Sequence, residues 1–311
     1  MKTVLIIGGY GFLGTNILKY IADNLGEQYD AIVIDRFPEN RDGLILNCVK
    51  KSYSGDFSDS AFIDRVFSEN KVDLVIHSLS TTIPALSFNA RYDVETNLIP
   101  TLELLNCMVR HGVKEIVYIS SGGAIYGESR GMPHKETDDV FPISSYGVVK
   151  LAIEKYLMQY MRQYGIKPLI LRLSNPFGPY HYSTQQGICN VAIDTALAGR
   201  PFTVWGEGTT RKDYIYVSDF LKILFMLVEK AAYGEVFNIG SGHLSSVNEI
   251  LRIVKKHIPD FVWSYSDSMQ NDVSQFQLDT SKLKRFIGDY EFIGIEEGIR
   301  LVLDWKRDKD A

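Results

Sequence analysis

The chain has 311 residues, a formal net charge of -5 and 45% hydrophobic residues. This length allows a large buried core, and an acidic balance without a basic cluster argues against nucleic acid as a partner. Cys48, Cys107 and Cys189 are widely spaced and match no metal-ligand pattern, so we expect reduced thiols, no metal and a cytoplasmic protein. No apolar run approaches the length of a membrane span, so we expect no membrane partner.

The N-terminal segment predicts a dinucleotide site. Residues 3–7 form a continuous apolar run, which is typical of a strand buried on both faces of a parallel sheet. A glycine-rich loop follows directly, and we expect a helix from about residue 12 whose N-terminus faces the phosphates. The glycines allow a sharp turn, close approach of the backbone to a pyrophosphate and close packing of the helix. The predicted cofactor contacts in this loop are Gly8, Gly11, Phe12, Leu13 and Gly14.

Asp35 ends the next apolar run, about twenty residues after the glycine loop. A carboxylate at this position accepts hydrogen bonds from the adenosine ribose hydroxyls and repels a 2′-phosphate. The sequence therefore predicts NAD rather than NADP as the cofactor. The adjacent Arg36 leaves open that a phosphate is tolerated.

The rest of the chain alternates strand-like and helical segments, which predicts an α/β fold with a doubly wound, Rossmann-like parallel sheet. We expect residues 1–175 to form an NAD-binding domain and residues 176–311 a smaller C-terminal substrate-binding lobe, with segments around 213–240 returning to the first. The predicted strands of the first part are near 31–34, 73–77, 115–120 and 167–173, and its helices are near 59–69, 94–111 and 145–164.

Tyr146 and Lys150 are the candidate catalytic pair. A spacing of four places both side chains on one face of a helix. A tyrosine has an ordinary pKa near 10, but a nearby lysine ammonium and an oxidised nicotinamide both favour the phenolate. An isolated pair of this kind is usually ordinary helix surface. The glycine loop earlier in the chain favours a role in acid–base catalysis.

Eight blocks in order resemble the extended short-chain dehydrogenase/reductase family, and within it the nucleotide-sugar epimerases and dehydratases of the UDP-glucose 4-epimerase type. The resemblance covers nearly the whole chain. The blocks are the loop at Gly8 to Gly14, Gly55-Asp56-Phe57, His77-Ser78-Leu79-Ser80, Asn97, Ser120 to Gly127, Tyr146 with Lys150, Asn175 to Pro179, and Arg211 to Val217.

The resemblance implies further cofactor contacts at Asp56, Phe57, Asn97 and Ser120. Asp56 resembles the residue that contacts the adenine amine, with an ordinary turn aspartate as the alternative. Asn97 matches a cofactor-side asparagine, with a plain polar helix residue as the alternative. His77 resembles a position beside the pyrophosphate, and we assign it no chemical role.

The block from Ser120 to Tyr126 bears on the type of reaction. The family places a serine or threonine four residues before this tyrosine to bind the reacting sugar hydroxyl, and Gly122 stands here. The hydroxyl must then come from Ser121, Ser120 or a water, and we favour Ser121. Dehydratases carry an acidic pair at the next two positions, which are Gly123 and Ala124 here. Because neither side chain transfers protons, elimination of water is disfavoured.

The substrate diphosphate requires donors in a partly dry cleft. The resemblance assigns Asn175 to this role. Lys212 replaces the family arginine, with Arg211 one residue earlier, and lysine is a point charge rather than a bidentate fork. A second family arginine is expected near Met269 and Gln270 and is missing.

Together these features predict an NAD-dependent nucleotide-sugar epimerase, acting at C4 of a UDP- or dTDP-hexose through a transient 4-keto sugar. Tyr146 moves the hydroxyl proton, while Lys150 holds the nicotinamide ribose and lowers the tyrosine pKa. The alternatives are an NAD(P)-dependent keto-sugar reductase or dehydrogenase, a 4,6-dehydratase of the same fold, and a non-enzymatic dinucleotide sensor. The family's four-helix interface and the long helices near 94–111 and 145–164 predict a homodimer.

Overall fold

A computed structural model describes residues 1–84, 87–127, 133–267 and 275–310. The first part of the chain alternates strands and helices. In chain order these are β1 Lys2–Ile7, α1 Phe12–Asn24, β2 Tyr29–Asp35, β3 Val49–Ser54, α2 Ser60–Ser68, β4 Leu74–His77, α3 Ala90–Asp93, a π-helical turn Val94–Leu98, α4 Ile99–Arg110, β5 Glu115–Ser121, α5 Gly122–Tyr126, α6 Ser145–Tyr164 and β6 Lys167–Leu173.

The second part contains shorter strands. In chain order it consists of β7 Asn175–Phe177, α7 Ile188–Leu197, β8 Phe202–Trp205, β9 Arg211–Tyr216, α8 Val217–Glu229, β10 Glu235–Ile239, β11 Leu244–Ser246, α9 Val247–His257, β12 Trp263–Ser266, β13 Gln275–Phe276, α10 Ser281–Ile287 and α11 Ile295–Asp310. No helix in the described ranges is long and apolar enough to cross a membrane.

The main sheet has seven strands in the order β10-β6-β5-β4-β1-β2-β3, and every neighbouring pair is parallel. Side chains of one strand point alternately to the two faces. Val4 and Ile6 of β1 pack in the core shared with α1 and α8, whereas Leu5 and Ile7 pack in the core shared with α2, α4 and α6. Burial on both faces explains the continuous apolar runs, and the predicted Rossmann-like fold is confirmed.

The remaining strands lie outside the main sheet. β11, β9 and β13 form a second sheet in which β7 also pairs with β9, and β8 pairs with β12. Helices α7, α9 and α11 pack around a separate core. Within residues 213–240, β10 joins the edge of the main sheet beside β6, whereas β9 belongs to the second sheet. The domain boundary at residue 175 stays a prediction.

The helix predicted near 94–111 is divided differently in the structure. A π-helical turn precedes α4, and Pro100 lies in the first turn of α4. Because proline has no N–H to donate to the carbonyl four residues earlier, the regular ladder is interrupted there. Asn97 lies within this π-helical turn, and its side chain is buried.

Candidate active site

The glycine loop forms a tight turn at the carboxyl end of β1. Gly8 has φ +78°, which is the left-handed region, and a Cβ there would lie 3.0 Å from the Leu79 backbone. A Cβ on Gly14 would overlap the Gly8 carbonyl oxygen. In the described chain no side chain caps the start of α1 at Gly11, and its first turn carries no acidic residue. The backbone N–H groups at this end can therefore bind an anion.

Asp35 lies beside this loop at the end of β2, and its side chain is buried. One carboxylate oxygen accepts from the Tyr10 amide at 2.9 Å, and the other accepts from the Phe37 amide at 3.2 Å. Arg36 points to the exposed side. The glycine turn, the open helix end and the buried carboxylate together fit a dinucleotide whose ribose lies against Asp35.

The other predicted cofactor residues have varied surroundings. Asp56 is exposed and accepts from the Ser58 amide at 2.9 Å, and this bond lowers the pKa of the carboxyl. Phe57 is buried against the ring of His77. Asn97 is engaged within the protein, because its Oδ1 accepts from the Thr81 amide at 2.9 Å. Their cofactor contacts stay predictions.

The Ser120 hydroxyl is directed away from Tyr146 and binds Glu154. This hydroxyl donates to Glu154 Oε1 at 2.6 Å, and Arg172 binds the same carboxylate with Nη2 at 2.8 Å. Arg172 also donates to the Tyr126 hydroxyl at 2.7 Å. The Ser120 hydroxyl is thus part of a buried polar network, and the expected contact of Ser120 with the cofactor stays a prediction.

Tyr146 and Lys150 lie on one face of α6, near the carboxyl ends of β4 and β5. Ser144 caps this helix by accepting from the Gly147 amide at 3.2 Å. Lys150 Nζ lies 5.6 Å from the centre of the Tyr146 ring and donates to the Ile119 carbonyl at 3.0 Å. The structure therefore brings the predicted pair together.

Burial dominates the electrostatics of this pair. It raises the pKa of Tyr146 to about 12, against the effect of hydrogen bonds with Ser121 and Ser80. It lowers the pKa of Lys150 to about 8, while the charge of Glu154 acts in the opposite direction. In the chain by itself, desolvation of the phenolate outweighs these favourable contacts, so the net shift of the tyrosine pKa is upward. That Lys150 lowers this pKa when the cofactor is bound stays a prediction.

The hydroxyls of Ser121 and Ser80 both hydrogen-bond with the Tyr146 phenol. A Cβ at Gly122 would lie 2.9 Å from Leu278 Cδ2 and 3.2 Å from Phe276 Cζ, so a side chain there would require these two side chains to shift. Sequence reasoning missed Ser80. The sequence feature that could have identified Ser80 is its position at the polar end of the block that begins at His77, where a buried strand ends.

The predicted diphosphate residues lie around β9. The Asn175 side chain donates to the Asp213 carbonyl at 2.8 Å, and Arg211 is exposed with Nη2 3.3 Å from the Leu244 carbonyl. Lys212 is half-buried on the same strand. Met269 and Gln270, where the second family arginine was expected, lie outside the described residues.

Asp213 was not singled out by sequence reasoning. It is fully buried and accepts from the backbone amides of Ser241 at 2.9 Å and Gly242 at 3.0 Å. Burial raises its pKa to about 6 despite these bonds. Asp213 thereby fixes the turn after β10 against the strand that carries Arg211 and Lys212.

Asp64, Cys107 and His111 are the one group of possible metal ligands found among the described residues. Their ligand atoms lie within 4.8 Å of one another. However, Arg110 Nη2 donates to Asp64 Oδ1 at 2.8 Å, and its charge stands where a cation would bind. We therefore assign no metal to this group.

Comparison with known proteins agrees with this geometry. The model of the NAD dependent epimerase/dehydratase family matches residues 4–240. The chain belongs to this family. NAD is accordingly its cofactor, and the family's chemistry is enzymatic conversion of nucleotide sugars.

Relatives within the epimerase/dehydratase family include both reaction types. A putative UDP-glucose 4-epimerase of Methanocaldococcus jannaschii is 31% identical over 99% of both chains. A UDP-glucose 4-epimerase of Thermotoga maritima, crystallised with UDP-glucose, is 31% identical with a TM-score of 0.92 over 99% of this chain and 100% of that one. A dTDP-glucose 4,6-dehydratase of Neisseria meningitidis is 26% identical over 99% of this chain and 94% of its own.

Proposed function

We propose that this family member is a nucleotide-sugar epimerase that inverts C4 of a UDP- or dTDP-hexose. The observation that carries the proposal is the Tyr146–Lys150 pair with Ser121 on the phenol, beside Gly122, which brings no side chain to the site. The next two positions, Gly123 and Ala124, hold no proton-transferring group. This favours reversible oxidation at C4 over elimination of water, although dehydratases are among the relatives.

Tyr146 accepts the proton of the C4 hydroxyl and later returns it to the C4 oxygen. Bound NAD supplies the hydride chemistry, which leaves no net redox change. At neutral pH a phenol with a pKa of about 12 is almost fully protonated and cannot accept a proton. The positive charges of Lys150 and of oxidised nicotinamide must therefore favour the phenolate. Ser121 donates a hydrogen bond to the reacting oxygen and orients it toward the phenol.

The nucleotide diphosphate is assigned to the side of the site formed by β7 and β9. Asn175 supplies an amide beside β9, and Arg211 and Lys212 supply positive charge on the strand itself. Asp213 holds this strand against the turn after β10. A cationic edge of this kind neutralises a diphosphate while the sugar end reaches Tyr146.

We further propose a homodimer and a cytoplasmic location. Ile99 of α4 and Val148 and Tyr156 of α6 expose large apolar side chains on the two helices expected to form the interface. Apolar side chains on neighbouring helices suit an isologous contact with a second copy. The cytoplasmic location stays a prediction.

The function is tested by incubating the protein and NAD with UDP-glucose, UDP-galactose, dTDP-glucose and UDP-N-acetylglucosamine, without any reductant. We expect one of these sugars to equilibrate with its C4 epimer and no net NADH to accumulate. Stoichiometric NADH would indicate a dehydrogenase. A 4-keto-6-deoxy sugar would indicate a dehydratase. A protein that binds NAD but converts no sugar in a broad panel would contradict the proposal.

A further inference from the structure

A small cavity is lined in part by the Tyr146–Lys150 pair. Its volume is about 10 Å³. Its lining includes His77 of β4, Tyr118 of β5, and Tyr146 and Lys150 of α6. This is close to the space that one water molecule needs, provided that several polar groups face it.

His77 brings an unpaired acceptor to this cavity. Its Nε2 lies 2.9 Å from Thr101 Oγ1, and the Thr101 hydroxyl donates to the Asn97 carbonyl at 2.6 Å. A hydroxyl has one proton, so Thr101 Oγ1 must accept from His77 and Nε2 must carry the hydrogen. The lone pair is then on Nδ1, which is buried and has no hydrogen-bond partner among the described residues.

Two further polar groups line the same space. The Tyr118 hydroxyl is buried and likewise lacks a hydrogen-bond partner in the described ranges. Lys150 carries three N–H donors, of which one binds the Ile119 carbonyl, and its Nζ lies 4.9 Å from the centre of the Tyr118 ring. A buried acceptor, a buried hydroxyl and a buried cation therefore belong to residues that line a space of about one water.

Burial and the charge of Lys150 keep the His77 ring neutral. Lys150 and Tyr146 face it from α6, Tyr118 from β5, and the uncharged ring of Phe57 covers another side. Burial and the charge of Lys150 lower the pKa of His77 to about 3. His77 is thus an acceptor through Nδ1 across the whole working pH range, which is the property needed to receive a hydrogen bond from a water.

We infer that one water molecule occupies this cavity, accepts from Lys150 Nζ and donates to His77 Nδ1, so that His77 is a positioning residue for Lys150. The water gives the buried ammonium a second acceptor and leaves its third N–H for the cofactor side. Loss of this water would disfavour the charged form of Lys150. The importance of a charged Lys150 rests on the proposed function, whereas the water site itself does not.

The site is tested without turnover by high-resolution crystal structures of the NAD-bound protein and two variants. The wild type should show a water within about 3.2 Å of both His77 Nδ1 and Lys150 Nζ. His77→Phe should lose it, and His77→Asn, whose amide oxygen lies near the former Nδ1, should keep it. A dry cavity in the wild type, or the same water in His77→Phe, would overturn the inference.

The effect on Lys150 is measured by NMR titration of ζ-¹⁵N-labelled lysine, with Lys150→Met used for assignment. A lost charge-assisted hydrogen bond should lower the pKa of Lys150 by about one unit in His77→Phe. His77→Asn should restore most of the shift. An unchanged Lys150 titration in a folded His77→Phe protein would overturn the positioning role, whether or not any nucleotide sugar is converted.

Discussion

Lys150 Nζ lies 5.6 Å from the centre of the Tyr146 ring, one helical turn further along α6, and donates to the Ile119 carbonyl. The two side chains are neighbours without a direct bond between their polar atoms among the hydrogen bonds of the described chain. The effect that we propose for Lys150 on the Tyr146 phenolate is therefore one of its charge and not of a direct hydrogen bond. This arrangement makes the pair sensitive to anything that changes the charge or the position of the ammonium.

Cofactor discrimination depends on Asp35. We expect NAD to bind at least about tenfold more tightly than NADP, because a 2′-phosphate would lie against the buried carboxylate. Asp35→Ala should reduce this preference, and Arg36→Ala should leave it or increase it. Titration of both cofactors by fluorescence or calorimetry measures the ratio. Equal affinities in the wild type would mean that Arg36 controls the site.

The buried Glu154–Arg172 pair should be important for stability. Glu154→Gln leaves the Arg172 charge buried and unpaired, which typically costs about 3–5 kcal/mol. The double change Glu154→Leu with Arg172→Met should recover most of the loss. Glu297→Gln, which breaks the exposed pair with Arg300, is the control and should change little. Denaturant unfolding measures all four free energies, and a loss no larger than in the control would refute the prediction.

Acid should destabilise the protein through its buried histidines. Burial lowers the pKa of His77 to about 3 and of His181 to about 4, from 6.5, so below 6.5 the unfolded chain binds protons that the folded chain does not. At about pH 5 each histidine costs about 2 kcal/mol. Asp213 acts in the opposite direction. Its pKa is raised to about 6, so its protonation at about pH 5 stabilises the folded protein by about 1 kcal/mol. The histidines therefore dominate.

This pH effect is measured by denaturant unfolding at about pH 7 and about pH 5. The free energy of unfolding should fall between the two, and the fall should be smaller in His181→Phe. His243 is exposed, so His243→Gln should leave the fall unchanged. Equal stability at both pH values in the wild type would show that the buried histidines do not resist protonation.

The dimer prediction depends on the exposed apolar side chains of α4 and α6. Val148→Glu should convert the protein to a monomer, because a charge would be buried in the interface. Leu197→Glu is the control, since Leu197 is similarly exposed on α7, outside the expected interface. Light scattering at micromolar concentration measures the mass. A monomeric wild type would be inconsistent with the prediction.

The sequence was informative where chemistry follows local spacing. The strand, glycine turn and helix at the N-terminus, and the pair at residues 146 and 150, are patterns within a few residues, and the structure places them as predicted. The π-helical turn before Pro100 was missed because the periodicity of the segment is helical on both sides of it. Strands of two or three residues, such as β7 and β13, are too short to give a periodic signal.

Contacts between distant segments were beyond sequence reasoning. Ser120 was assigned to the cofactor because it stands in a recognised block, but its hydroxyl binds Glu154, which is 34 residues away. The same carboxylate binds Arg172 of β6, which in turn donates to the Tyr126 hydroxyl of α5, and no local pattern shows that these residues meet. The same holds for Ser80, which reaches the Tyr146 phenol only through the order of the strands.

The role of Tyr146 is separable from cofactor binding. Tyr146→Phe removes the phenol oxygen and keeps the ring, so turnover should fall by about 10²–10⁴-fold while NAD affinity is nearly unchanged. Ser121→Ala should cost less, because it removes a hydrogen bond and not the proton carrier. Initial rates and NAD titrations of both variants give the comparison. More than about a tenth of the wild-type rate in Tyr146→Phe would mean that another base is at work.

The most direct test of the account follows the hydrogen at C4. The protein is incubated with NAD and a nucleotide hexose, the one that equilibrates in the panel, carrying deuterium at C4, and the epimer is analysed by NMR and mass spectrometry. If the hydride leaves C4 and returns to the same carbon, the epimer formed by the wild type retains deuterium at C4, and Tyr146→Phe forms almost none. An epimer whose C4 deuterium has been replaced by solvent hydrogen, or deuterium that accumulates on the nicotinamide without an epimer, would contradict the account.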